Sequence, residues 1–140
     1  MPLAGTPEEG AALLQGLRYA YRIAEQSEWE ASQACGLYKG TQLDEKDGFL
    51  HLSLPSEVLT TIGLYFASHP GPLLVLQVDL ASIPEAQLRA DWVAQRSAFF
   101  PHVTGGKHGY HVPVASITRV FTLTRAGSSG EWQGFDAAGL

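Results

Sequence analysis

Sulfur is scarce in this chain of 140 residues: there is one methionine and a single cysteine, Cys35. A lone cysteine excludes an intramolecular disulfide and supplies no thiolate pair for a zinc site, which fits a reducing compartment. Positive charge is also short, with nine Lys and Arg against 14 Asp and Glu and a formal net charge of -5. Nucleic-acid backbone is bound mainly by Lys and Arg that displace counterions, so that class of partner is not expected. No apolar run approaches the ~20 residues of a membrane-spanning helix. The opening MPLAGTPEEGAALLQG sets acids before its short apolar run, where a secretory signal has a basic start. These absences predict a cytoplasmic protein with no membrane partner. Also missing are a Walker loop, GxGxxG, GxSxG and HExxH, the commonest nucleotide, hydrolase and metalloprotease signatures.

What is present describes a folded domain: 45% hydrophobic and 16% charged residues, the balance of globular rather than disordered chains. Residues 1–17 and the Gly/Ser/Ala-rich 125–140 predict a mobile extension and a mobile tail, leaving one α+β domain over 18–124. Arg18 to Ala24 alternates as a strand. Ser27 with Glu30 offers a capping box for a helix that carries Trp29 inward and ends near Gly36. After the polar KGTQLDEKDG, read as a loop, Phe49 to Ser53 alternates as a second strand. Pro55 then opens a helix with Val58, Leu59, Ile62, Tyr65 and Phe66 on one face. LLVLQVDL, residues 73–80, reads as a strand buried on both faces and central in its sheet. Further strands are predicted over 88–93 and within 112–123, starting after Ala115.

The second strand puts His51 and Ser53 side by side on the face opposite Leu50 and Leu52, so His51 faces a cleft rather than the core. Ser53 is placed either to line that cleft or to cap the following helix. FFPHVTGG, residues 99–106, reads as a loop over the cleft; there His102 either touches a ligand or is a bonded structural histidine. His102, His108 and His111 match no standard zinc spacing, so no metal is expected. Cys35 reads as a buried, inert thiol.

Four segments in order, YRI-x5-W, DGFLHLS, LLVLQVDL and FFPHVTG, resemble the family called domain of unknown function 952 over about residues 19–124. That family's fold is similar to the ADP-ribosyltransferase superfamily, which implies two small mixed or antiparallel sheets forming a cleft that holds NAD, flanked by two or three helices. The resemblance further implies a first-strand phosphate or ribose anchor, falling on Arg22, and a nicotinamide-pocket residue on the second strand, Ser53, with His51 beside it. It also implies a later acid; where relatives commonly carry a Trp-Glu or similar pair, this chain has Asp91. The catalytic set so implied is Arg22, Ser53 and Asp91, and the ligand-binding set Arg22, His51, Ser53 and His102. Arg22 read from its own strand is equally a surface residue. Three functions follow: an NAD-dependent transferase or NAD glycohydrolase, a non-catalytic module for a nucleotide or other small ligand, and a small interaction domain that docks through Phe99 and Phe100.

Overall fold

The computed structural model describes residues 5–127 and 130–137, and of Lys107 and His108 the backbone alone. In chain order the elements are α1 (Pro7–Gly16), β1 (Tyr19–Ala24), α2 (Gln26–Cys35), β2 (Leu37–Tyr38), α3 (Gln42–Asp47), β3 (Leu50–His51), α4 (Val58–Tyr65), β4 (Leu73–Asp79), β5 (Leu88–Val93), β6 (Ala98–Val103), β7 (Lys107–Tyr110), β8 (Val112–Pro113) and β9 (Ile117–Leu123). This is the α+β mixture the sequence predicts. Among the described residues the antiparallel strands form three small sheets rather than two: β1-β4-β9, β3-β6-β5 and the pair β2-β8. Four α-helices flank them among the described residues.

β4 is central in its sheet, and Leu73 through Val78 are all buried. Its alternation divides the interior in two. Leu74, Leu76 and Val78 join Ala20, Leu50, Leu52 and Val103, while Leu73 and Val75 join Tyr21, Ile23, Val58, Ile62 and Leu123. A strand apolar on both faces is what two half-cores on either side of one sheet require. Tyr21 also exchanges backbone bonds with Ser53, Tyr21 N–H to Ser53 carbonyl at 2.9 Å and Ser53 N–H to Tyr21 carbonyl at 2.7 Å. That bridge fastens the first sheet to the chain leaving β3.

Local structure extends beyond residues 18–124 on both sides where the chain is described. Thr6 and Glu9 close a reciprocal capping box at the start of α1, satisfying free N–H groups that the small, acidic composition concealed. α1 packs on β5 through Gly10, where an added Cβ would lie 2.7 Å from the Ala90 carbonyl. Past β9, Thr124 and Gln133 pair in both directions at 2.9 and 2.8 Å. Phe135 is buried, its ring 5.4 Å from Tyr21 and 5.0 Å from Phe121.

Four local expectations are corrected. FFPHV is the central strand β6, not a loop. Proline is tolerated there because Pro101 faces Leu52, whose N–H it accepts at 2.9 Å, one residue past the end of β3, so its missing donor falls where that ladder stops. The polar loop contains α3, entered at Thr41 with Asp44 at the third helical position and ended by Gly48 at φ 82°. α2 is capped two residues earlier than Ser27, by Glu25 and Glu28, while Trp29 does turn inward, packing partly buried against the core. Leu59 and Tyr65 are exposed on α4, whose buried face is Val58 and Ile62 alone.

Candidate functional site

The alternation of β3 and β6 builds one polar face. His51 stands opposite His102 in the register; the two-residue period then adds Ser53 and Phe100 to the same side. Tyr21 and Ser53 close one end of this face, and Thr61 and Tyr65 of α4 cover it. The result is a cleft of about 290 Å³, mostly apolar, into which Arg22, His51, Ser53 and His102 all contribute. The four ligand-binding residues predicted from the sequence are thus brought together. Leu43 and Tyr65, 55% and 70% exposed, stand on its rim.

Arg22 belongs to the cleft wall, and its donors are engaged within the protein. Nε–H donates to Tyr38 Oη at 3.0 Å, Nη1 to Asp44 Oδ1 at 2.8 Å and the His51 carbonyl at 2.9 Å, and Nη2 to Asp44 Oδ2 at 2.6 Å and Thr41 Oγ1 at 3.4 Å. A guanidinium has five N–H donors, so none is left for a phosphate. Nor is it a surface residue, its side chain being 11% exposed. Asp44, fully buried, also accepts from the backbone N–H of Thr41 at 2.7 Å and of His51 at 3.0 Å. Burial alone raises a carboxyl pKa, but bonds from His51 and Arg22 reverse this and hold Asp44 well below the usual carboxylate range. His51 lies between two acids, Nδ1 at 2.8 Å from Asp44 and Nε2 at 2.9 Å from Asp47. Both of its ring nitrogens are therefore turned to α3, so His51 lines the cleft without a free nitrogen.

His102 differs. Its Nδ1 lies 2.6 Å from Asp91 Oδ2, which with a neutral ring makes Nδ1–H the donor. Nε2 makes no hydrogen bond among the described residues and is not sealed from solvent. Burial lowers the His102 pKa, and His51 and Arg89 lower it further, outweighing the upward pull of Asp91. The ring is consequently neutral at pH 7, with Nε2 free to accept a proton or a hydrogen bond. Asp91 pairs with Phe100 in the register and so shares the sheet face of His102 without lining the cleft; it accepts from Arg89 Nε at 2.7 Å, and the predicted ribose acid bonds and orients His102. Ser53 does not cap the helix, since Leu54 occupies that position with no side-chain bond. The Ser53 backbone is held by Tyr21, and its hydroxyl lines the cleft.

Other readings fare differently. Among the described residues no three His, Cys, Asp or Glu side chains converge as a metal site; the His108 side chain lies outside them. Phe100 is buried, and Phe99, half-buried, stacks edge-on to Trp92 at 5.2 Å beneath α1, so the two rings do not stand together on an exposed loop. Cys35 is exposed rather than buried, since α2 ends there and turns it outward. The sequence reading missed Arg96 and Thr61, which line the cleft, and Asp44 behind it. Thr41, Asp44 and Gly48, spaced as a capped single-turn helix, were the available signal for Asp44; Arg96, in a turn between two strands, carried none.

No helix among the described residues is long and apolar enough to cross a membrane. No curated protein matches the chain. Among solved structures, the crystal structure of protein CC0527 from Caulobacter crescentus is 28% identical, with a TM-score of 0.68 over 82% of this chain and 93% of that one. The solution NMR structure of the same protein gives a TM-score of 0.62 at 28% identity, over 81% and 91%. Residues 23–120 match the family described as protein of unknown function (DUF952). That span begins inside β1 and holds β3, β6 and all of the cleft lining except Tyr21 and Arg22, and the chain belongs to the DUF952 family.

Proposed function

We propose that the cleft binds a small nucleotide-like ligand, with NAD the first to test. The observation that supports this reading is the convergence of Ser53 and His102, each with an unengaged polar group, in a mostly apolar cavity of about 290 Å³. Small-molecule sites run from roughly 300 Å³ upward and combine apolar walls with a few placed polar groups. A space of this size seats one ring and sugar, and the remainder of a dinucleotide lies over the open mouth beside Leu43 and Tyr65. Arg22 acts from behind, fixing α3 and the His51 backbone, and His51 lines the wall. Calorimetric titration with NAD tests the reading: saturable heat that disappears in Ser53→Leu, which fills the cleft, supports it, and equal heat in both proteins contradicts it.

The Asp91–His102 pair favours a second reading, NAD cleavage. Water attacks the ribose carbon as its bond to nicotinamide breaks, His102 Nε2 takes the water proton, and ADP-ribose and nicotinamide leave. Prolonged incubation with NAD without nicotinamide release, beside an active control enzyme, contradicts this reading and leaves the binding reading intact.

A further inference from the structure

The cleft contains two arginines that differ in what remains of their donors. Arg22 has none free. Arg96 stands in the turn between β5 and β6, its N–H bonded to the Val93 carbonyl at 3.0 Å, directly before Ser97, whose φ of 49° is rare outside glycine. Its side chain is 12% exposed. Only Nη2 is engaged, donating to Thr61 Oγ1 at 2.9 Å, to Glu57 Oε1 at 3.2 Å and to the Glu57 carbonyl at 3.5 Å. The guanidinium carbon lies 4.7 Å above the Phe100 ring. Nε is buried without an acceptor, the one side-chain nitrogen or oxygen in that condition among the described residues. Nη1 likewise makes no bond among them.

A buried donor without a partner is destabilising, and native structures hold few of them. Here the strained turn, the Phe100 face, Thr61 and the Glu57 carboxylate keep the guanidinium in place while leaving Nη1 unbonded beside the buried Nε. The whole chain is acidic, so no general field draws anions to it; selection falls to this one cation. We infer that Arg96 is the anion seat of the cleft, and that the ligand carries an oxyanion, phosphate or carboxylate, on a ring-bearing body that packs along Phe100 and Tyr65. The anchoring role the sequence assigns to Arg22 passes to Arg96. This rests on the reading of the cleft as a ligand site and specifies the chemistry of what it takes.

The test follows the Arg96 Nε–Hε signal in protein labelled with nitrogen-15 during titration with phenyl phosphate, benzoate and neutral benzyl alcohol. A saturable shift with at least one anion and none with the alcohol is expected; the stronger of the two anions identifies the oxyanion. Arg96→Gln should weaken anion binding about tenfold or more, a loss consistent with a charge-assisted bond. Binding of the alcohol as strong as that of both anions, or undiminished anion binding in Arg96→Gln, overturns the inference. If that variant fails to fold, having lost its ties to Glu57 and Thr61, the signal in the unaltered protein decides alone. Should NAD bind while no anion moves the Arg96 signal, the anion seat falls and the cleft reading stands; if neither NAD nor the anions bind, both fall.

Discussion

At the scale of single residues, two carboxylates support the cleft in different ways. Asp44 is buried against Arg22, and its removal leaves a buried cation with no counter-charge. Asp44→Asn should cost ~3–5 kcal/mol, the usual penalty for breaking one side of a buried pair, read as a drop in the urea midpoint. The same group sets an acid limit. Its folded pKa lies below the unfolded value, so its stabilisation is present above pH ~4 and is lost as pH falls further. Stability measured from pH 5 downward should therefore fall more steeply in the parent than in Asp44→Asn. Asp91 acts on His102 with the opposite sign. It raises a histidine pKa that burial lowers, so Asp91→Asn should move the His102 titration, followed by ring proton shifts, to still lower pH. An upward move would show that the contact at 2.6 Å does not stabilise the charged ring.

Among the elements, α1 and α3 decide how the cleft is framed, and neither was legible in composition. α3 lies in a polar run because its work is electrostatic: its one buried side chain is Asp44, and a six-residue helix with a single buried acid has no apolar period to find. β6 was hidden by its proline, and the reason it is allowed, a neighbouring strand that ends just before it, is tertiary. By contrast β1, α4 and β4 carry strong local signals, and each is found where its pattern puts it. α1 gives a direct check of helix-on-sheet packing. Gly10→Ala should raise helix propensity by about 1 kcal/mol, yet its Cβ meets the Ala90 carbonyl at 2.7 Å. Overpacking of that kind costs ~1–3 kcal/mol, so thermal unfolding should show net loss; a net gain would mean that α1 moves freely on β5.

For the whole molecule, the face that became the cleft was readable because β-strand alternation is a simple rule: once Phe49 to Ser53 is a strand, His51 and Ser53 share a side. What the sequence could not give was which side chains are already engaged. Arg22 and Arg96 look alike in one dimension, and only the packed fold engages the one and leaves the other open. Membership of DUF952 and likeness to a Caulobacter protein place the architecture; the activity has to come from the cleft itself. The most direct test is a titration of nitrogen-15-labelled protein with NAD, following every backbone amide. Saturable shifts confined to Tyr21, Ser53, Thr61, Arg96 and His102 are the predicted result. No shifts up to millimolar NAD, or shifts centred on α1 and β5 instead, would contradict the account.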